Sequence, residues 1–244
     1  MRPLSRLPDE TYSVTPHTGA SALPLPDARV IVTMMDRSDL LRASPPMFKS
    51  PWLDRLSRVH PSVPVIIFAP AIVGLFVYSA LHMSNFKVAV LALCGYVLWT
   101  LTEYWLHRIV FHFEPEEGIG ARLHWIIHGV HHDHPNDPMR LVMPPSVSVP
   151  LALVFYALFY VLLGSPAAPA LMSGFLAGYL FYDMTHYHLH HHTPKTRLGR
   201  KLRESHMRHH FQDDTRGFGV SAPWWDRVFG TSPRSRTETR DQPS

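Results

Sequence analysis

The chain has 244 residues, a formal net charge of +4 at pH 7 and a mean hydropathy near zero. This length suits a single domain of ordinary size. The only cysteine, Cys94, cannot form an internal disulfide, a Cys-rich zinc site or an iron–sulfur cluster, so nitrogen or oxygen atoms must hold any bound metal. The basic residues stand beside apolar blocks, which favours a membrane as partner and argues against a nucleic acid.

Residues 1–60 are predicted to form a polar, flexible N-terminal arm. Up to about residue 45 they are rich in Pro, Ser, Thr and charge, without a sustained apolar period. The opening stretch, MRPLSRLPDE, is not expected to act as a cleavable signal peptide. The stretch over residues 47–59 is amphipathic, and Phe48 and Trp52 would anchor it as an interfacial helix on the membrane surface.

Four apolar blocks follow, and they predict an all-α integral membrane protein. They cover residues 63–83, 88–106, 147–163 and 167–182, and the first is close to the ~20 residues that a spanning helix needs. Short links, SNFK and GSPAAP, join the first block to the second and the third to the fourth. This arrangement predicts four transmembrane helices in two hairpins. Core helices of a soluble bundle are the alternative.

The charge distribution predicts the orientation of these helices. Positive residues flank the blocks on one side, the hairpin tips carry almost none, and the positive-inside rule places the charged side in the cytoplasm. The flanking residues are Arg55, Arg58, Arg108, Arg122, Arg140, Lys195, Arg197, Arg200, Lys201 and Arg203. The membrane domain is therefore expected over residues 61–231, with a cytoplasmic histidine-rich cap in a bacterial inner membrane, and residues 232–244 as a disordered tail.

Eighteen histidines are the outstanding feature of the composition, because neither solubility nor packing requires so many. Four clusters hold most of them: HRIVFH at 107–112, HWIIHGVHH at 124–132, DMTHYHLHHH at 183–192 and HMRHH at 206–210. Residues at positions i, i+3 and i+4 share a helix face, so histidines within a cluster can converge. Two metal ions with five or six ligands each would use about ten imidazoles. The predicted ligands are His107, His112, His128, His131, His132, His186, His190, His206, His209 and His210.

Three other residues within the clusters are weaker candidates. Asp183 could orient a ligand histidine through the second ring nitrogen of that histidine. His124 and His191 are as well suited to contact a metal-ligating histidine as to face solvent. Any one cluster could be a solvated helix face, but four clusters beside the same ends of the spans argue against that alternative.

Several other kinds of metal and nucleotide site are excluded because their sequence motifs are absent. The chain lacks the Glu-x-x-His pairs of soluble di-iron bundles, the HExxH of zinc proteases, a P-loop and a GxGxxG turn. Nitrogen ligands with few carboxylates, placed at a membrane face, favour oxygen chemistry over hydrolysis.

The motifs HxxxxH, HxxHH, DxxHYxxHH and HxxHH, in this order, resemble the fatty acid hydroxylase and sterol desaturase superfamily of membrane oxygenases. RLVMPP at 140–145, YDMTHYHLHH at 182–191 and GFGVSAPWWDRVFGT at 217–231 further resemble fatty acid 2-hydroxylases. The similarity spans residues 60 to 231. It implies a four-helix membrane fold with a cytoplasmic dimetal domain. It also implies hydroxylation of the carbon next to the acyl carboxyl group, in a free fatty acid or a ceramide-like lipid.

The resemblance also implies the cofactors. These are two iron ions, with O2 as co-substrate and an external electron donor, and zinc can occupy the same nitrogen-rich site in a purified sample. The first 60 residues lack the HPGG haem motif of the cytochrome b5 domain found in many family members. A separate electron-transfer protein is therefore expected.

Three further residues are candidates for substrate binding. Arg140 could bind a lipid head group, and Trp224 and Trp225 could line the substrate entrance, although surface charge and membrane anchoring explain these residues equally well. Two alternatives for the function stay open at this point. One is a sterol or sphingolipid desaturase or oxidase of the same superfamily, and the other is a non-catalytic membrane metal-binding protein.

Overall fold

The structure is a computed structural model that describes residues 36–113 and 117–234. Every regular element in this part of the chain is helical, and no strand occurs in it, which confirms the all-α class. The α-helices are α1 (Arg37–Arg42), α2 (Pro51–Leu56), α3 (Ser62–His82), α4 (Asn85–Trp105), α5 (Gly118–His124), α6 (Val130–Asp133), α7 (Pro145–Leu163), α8 (Ala167–His191), α9 (Arg197–Phe211) and α10 (Trp224–Val228). Two segments have the wider π-helical winding: Leu106–Phe111 continues α4, and Trp125–Gly129 connects α5 to α6.

Three helical segments among the described residues are long and apolar enough to cross a membrane: Ser62–His82, Asn85–Phe111 and Pro145–Leu163. They correspond to the first three predicted spans. Their outer faces expose large apolar side chains, such as Leu81 at 78% and Val161 at 81% exposure. Moving such surface from water into lipid is favourable by roughly 25 cal/mol per Å². The chain is therefore an integral membrane protein.

The fourth predicted span lies in α8, which differs from the other three. This helix has 25 residues and is therefore roughly 37 Å long. It packs against α3, α4 and α7, and most of its side chains are buried. Its apolar part is followed by Asp183 and the third histidine cluster, so the helix as a whole is less apolar than the three candidate spans. A fourth span therefore stays a prediction.

Aromatic side chains hold α8 in the centre of the bundle. Trp99 of α4 meets Phe175 and Tyr179 of α8 edge to face, with ring centroids 5.1 and 5.2 Å apart. Phe68 of α3 meets Tyr179 in the same way at 5.0 Å. Edge-to-face pairs of this kind add about 0.5–1.5 kcal/mol beyond the area that they bury. The packing fixes α8 relative to α4, and with it the histidine-bearing ends of both helices.

The backbones of α4 and α8 approach each other very closely at Gly174. A Cβ atom at this position would lie 1.7 Å from the carbonyl oxygen of Ala92, which is less than any real contact. Only glycine allows this crossing. The crossing brings the end of α4, with the first histidine cluster, beside the end of α8, with the third.

The segment before the first span contains two short helices. Within the stretch predicted to be interfacial, α2 covers Pro51–Leu56 and leaves Trp52 77% exposed. Residues 1–35 of the predicted flexible arm lie outside the described residues, and α1 follows them. Of the predicted disordered tail, residues 235–244 lie outside the described residues.

We expect Gly174→Ala to lower the stability of the protein. The new methyl group would push α8 away from Ala92, and overpacking of a core costs about 1–3 kcal/mol. Gly74→Ala is the matched control, because a Cβ at Gly74 of α3 has no heavy atom within 4 Å. The midpoint of thermal unfolding in detergent should fall for Gly174→Ala only. Equal midpoints for the two variants would contradict the close approach of α4 and α8.

Candidate metal centre

The ten histidines singled out by spacing lie together in two adjacent groups of five. In each group, one nitrogen of every ring lies within 4.8 Å of the corresponding nitrogens of the other four. Group one contains His107, His112, His128, His132 and His209. Group two contains His131, His186, His190, His206 and His210. The groups adjoin, since the ring centroids of His132 and His210 are 4.3 Å apart.

The π-helical end of α4 explains why the first cluster has an HxxxxH spacing. On an α-helix, residues five positions apart point in directions that differ by roughly 140°. A π-helix forms i→i+5 hydrogen bonds, which place such residues on the same face. The backbone N–H of His112 donates to the carbonyl of His107 at 3.2 Å, as this winding requires. Both side chains therefore point into group one.

The two HxxHH motifs divide their histidines between the groups. His128 and His132, one turn apart, belong to group one, whereas His131 belongs to group two. The second motif has the opposite arrangement: His206 and His210 belong to group two, and His209 belongs to group one. The three histidines of each motif thus converge on the same region, as expected, but not on one point. Each motif connects the two groups.

The distances within the groups fit metal coordination. The Nε2 atoms of His112 and His209 are 3.0 Å apart, and those of His190 and His206 are 2.8 Å apart. Ligands about 2.1 Å from one metal ion lie about 3.0 Å apart in an octahedral arrangement and about 3.4 Å apart in a tetrahedral one. Both observed distances are close to these values, and the residues present fit a metal ion in each group.

Hydrogen bonds to backbone carbonyls orient two of the group one rings. The Nδ1 atoms of His107 and His209 lie 2.7 Å from the carbonyl oxygens of Phe218 and Arg216. Because a carbonyl only accepts, Nδ1 carries the proton in both rings, and the Nε2 lone pair faces the group. The Nε2 atom of His107 is buried without a hydrogen-bond partner, as a metal ligand would be.

Burial keeps these imidazoles neutral. Burial and the charges of neighbouring histidines lower the pKa of His112 from its usual 6.5 to about 2. The same causes lower the pKa values of His128, His132 and His210 well below 6.5. The neutral ring has a free lone pair on one nitrogen and is the form that binds a metal.

The three weaker candidates lie next to the groups rather than within them. The carboxylate of Asp183 accepts hydrogen bonds from the N–H of Met143 and the hydroxyl of Tyr179, not from a histidine. His191 is partly buried and its ring lies 4.5 Å from that of Tyr187. His124 is partly buried, and its Nε2 has no hydrogen-bond partner. A direct role for these three stays a prediction.

The three substrate-binding candidates contact other parts of the chain. The guanidinium of the buried Arg140 binds Asp54 at 2.8 Å and the carbonyl of Pro45. Trp225 donates from its ring to the hydroxyl of Thr100 at 3.1 Å, which attaches α10 to α4. Trp224 is 48% exposed. Contacts of all three with substrate stay predictions.

Two buried acids near the groups have no place in the histidine motifs. Glu103 accepts hydrogen bonds from the backbone N–H and the hydroxyl of Ser221. Asp226 accepts from the backbone N–H groups of Phe218 and Gly219, both at 2.9 Å. A signal for Glu103 was available, since a charged residue at the end of an apolar helix is costly and usually functional. The sequence contains no comparable signal for Asp226, because its hydrogen-bond partners are backbone groups, which every residue has.

An apolar cleft lies between α4, α7 and α8, close to group two. Its lining includes Trp99, Phe155, Phe175 and Tyr179. Tyr179 precedes His186 by seven residues on α8, a distance of about 10 Å along the helix. The cleft therefore lies about two helical turns from group two along α8.

The chain is similar to known proteins. A family model described as fatty acid hydroxylase matches residues 92–231, which include all ten histidines. Dihydroceramide fatty acyl 2-hydroxylase FAH2 of Arabidopsis thaliana is 37% identical over 191 residues, covering 78% of this chain and 80% of that protein. Ceramide very long chain fatty acid hydroxylase SCS7 of Saccharomyces cerevisiae is 38% identical over 193 residues, covering 78% of this chain and 50% of that protein.

A solved structure is similar as well. It is described as full-length scs7p with only the hydroxylase domain visible. The TM-score is 0.72 and the sequence identity 38%, and the match covers 75% of this chain and 71% of that one.

The depressed histidine pKa values predict that the metal-free protein loses stability in mild acid. Each such histidine regains a pKa of about 6.5 on unfolding and takes up a proton below that pH. The free energy of unfolding then falls by about 1.4 kcal/mol per pH unit for each histidine, starting as the pH drops through about 6.5. For His112 the loss continues down to its folded pKa of about 2. Unfolding in urea between pH 7.5 and 5.5 measures this slope.

Between pH 7.5 and 5.5, the variant His112→Gln should lose about 1.4 kcal/mol less of its free energy of unfolding than the wild type, and its slope is shallower to that extent. His188→Gln, at an exposed position outside both groups, is the control and should match the wild type. Identical slopes in the wild type and His112→Gln would show that this ring is not held neutral by the fold.

Proposed function

Because this chain belongs to the fatty acid hydroxylase family, we propose that it hydroxylates an acyl chain at the 2-position, in a fatty acid or a ceramide-like lipid. The chain is a fatty acid hydroxylase and hence an oxidoreductase. The position of the hydroxyl group is supported by the names of the relatives, which include 2-hydroxylases of fatty acyl groups. Three segments, at 140–145, 182–191 and 217–231, support the same assignment.

The arrangement of ten neutral imidazoles in two groups of five is the observation that carries this proposal. The ten histidines are the proposed ligands of two iron ions. Bound iron would supply the redox chemistry that activates O2 toward an unactivated C–H bond, which acid–base groups alone cannot break. The side chains of this protein hold the nitrogen lone pairs in place and exclude water, since seven of the ten residues are buried.

The apolar cleft is the proposed site of the acyl chain. Phe155 and Trp99 line the cleft and would provide apolar contacts. Tyr182 lies between the cleft and the metal centre, with its ring stacked on that of His186 at a centroid distance of 5.7 Å. The polar head of the lipid would remain at the membrane surface, on the side of the histidines.

The arrangement in the membrane is part of the proposal. We infer four spans, with α8 as the fourth, and a metal centre on the cytoplasmic side of a bacterial inner membrane. The cations that follow α8, among them Arg197, Arg200 and Lys201, support this orientation through the positive-inside rule. Hydroxylation inserts one oxygen atom of O2 into the C–H bond and reduces the other to water with two protons and two electrons, and we assign the delivery of these electrons to a separate electron-transfer protein.

Expression in a bacterium that lacks 2-hydroxy lipids tests the reaction directly. We expect 2-hydroxy fatty acids after hydrolysis of the membrane lipids, measured by mass spectrometry. His128→Ala and His209→Ala should each remove the product, because each deletes a proposed ligand of group one. His188→Ala, outside both groups, should leave it unchanged.

A double bond, or a hydroxyl group at another carbon, would contradict 2-hydroxylation and favour another branch of the superfamily. Absence of product, even with a matching electron donor co-expressed, would contradict the enzymatic assignment. Unchanged product from both ligand variants would contradict the assignment of group one.

The acyl site is tested by filling the cleft. Ala152→Phe places a ring among the lining residues of the cleft, so we expect products with shorter acyl chains. Leu153→Phe is the matched control, because the neighbouring Leu153 is 62% exposed and faces away from the core. The distribution of product chain lengths should change for Ala152→Phe alone. The same distribution in both variants would place the acyl chain elsewhere.

A further inference from the structure

The segment over residues 217–231, here called the C-terminal clasp, packs against the end of α4 and contacts group one from outside. We propose that Asp226 within the clasp is a positioning residue for the metal of group one. It acts on His107 through the peptide group between Phe218 and Gly219. This inference rests on the proposed function, because it assumes that group one binds a metal ion.

The geometry of a single peptide group carries the argument. The N–H of Gly219 donates to Oδ2 of Asp226 at 2.9 Å, and the N–H of Phe218 donates to Oδ1 at the same distance. In a planar trans peptide, the N–H and C=O bonds point in opposite directions. Holding the Gly219 N–H on Asp226 therefore aims the Phe218 carbonyl away from the carboxylate. That carbonyl accepts from Nδ1 of His107 at 2.7 Å.

The contact between carboxylate and backbone depends on Gly219. A Cβ atom at this position would lie 2.5 Å from the carbonyl oxygen of Ala222 and 2.9 Å from Oδ2 of Asp226. Any side chain would push the peptide off the carboxylate. The second glycine of the GFG sequence is thus explained by the approach of its backbone to Asp226.

Thr231 extends the same support to a second ligand. Its hydroxyl donates to Oδ1 of Asp226 at 2.8 Å, and so it accepts from the hydroxyl of Tyr104 at 2.9 Å. The carbonyl of Thr231 accepts from the N–H of Gly217 at 2.8 Å. The N–H of Gly217 and the carbonyl of Arg216 belong to the same peptide group, and that carbonyl accepts from Nδ1 of His209. Both carbonyls that orient group one rings therefore depend on the clasp.

Among the described residues, four of the five rings of group two have no such support. The Nδ1 atoms of His131, His190, His206 and His210 are buried without a hydrogen-bond partner. The two groups thus differ in the constraint on their outer ring nitrogens. Hydrogen bonds of this kind usually change metal affinity by about 10- to 100-fold. Loosening the clasp should therefore affect the metal of group one and spare that of group two.

The test is the number of iron ions bound per chain. Protein purified in detergent is reconstituted with Fe²⁺ under anaerobic conditions, titrated, and analysed by elemental mass spectrometry. We expect two ions for the wild type. For Asp226→Asn we expect one at full affinity and one weakened about 10- to 100-fold, because an amide cannot accept from both backbone N–H groups.

Three further variants separate positioning from general stability. Thr231→Val removes the hydroxyl that contacts Asp226 at nearly constant volume and should also weaken one ion, whereas Thr231→Ser keeps it and should behave as the wild type. Thr100→Val loosens the attachment of α10 through Trp225 without touching the peptide groups that hold the histidines, and it should bind two ions normally.

The outcomes distinguish the inference from its premise. Two ions at wild-type affinity in both Asp226→Asn and Thr231→Val would overturn the role of Asp226 while leaving the dimetal centre intact. Weakening of both ions together, or equal weakening in Thr100→Val, would assign the clasp a merely structural role and overturn the inference as well. A wild type without bound iron would refute the proposed metal centre itself.

Discussion

The packing of ten uncharged imidazoles against one another, away from water, is the constraint on which the rest of the structure depends. Their nitrogen lone pairs point at each other at hydrogen-bond distances, and the Nε2 atoms of His107 and His186 are buried without a hydrogen-bond partner. Burying polar atoms in this way is costly unless another group satisfies them. A cation shared by five lone pairs does so, which is why the arrangement fits a metal centre better than a polar core.

The surrounding fold holds these rings at one end of the helix bundle. The backbone contact at Gly174 sets the distance between α4 and α8, and the aromatic side chains around Trp99 fix their rotation. At the far end, the hydroxyl of Ser79 donates to the carbonyl of Pro166, which joins the tips of the two hairpins. The histidines therefore lie on rigid helices, and only the clasp reaches them from a less regular part of the chain.

The sequence allowed prediction of the helical class, three spans and the set of histidines that meet, because all of these follow from hydrophobic blocks and helical spacing. The division of each HxxHH motif between two groups was not predictable, since it depends on which helices pack on either side. The π-helical winding at Leu106–Phe111 was not predicted either, although the two histidines of HxxxxH share a face only with this winding. Asp226 was missed because it binds backbone atoms, which are the same in every residue. Whether α8 spans the membrane was not predictable either, because an apolar block has the same composition whether the helix packs among other helices or faces lipid.

The division of the HxxHH motifs has a consequence for biosynthesis. Helix α9 is the last of the histidine-bearing helices to leave the ribosome, and it supplies His209 to group one and His206 and His210 to group two. Until α9 is made, group one has four of its five histidine nitrogens and group two has three. Neither centre is then complete while the chain is still growing, so iron loading at full affinity must follow synthesis of the whole membrane domain.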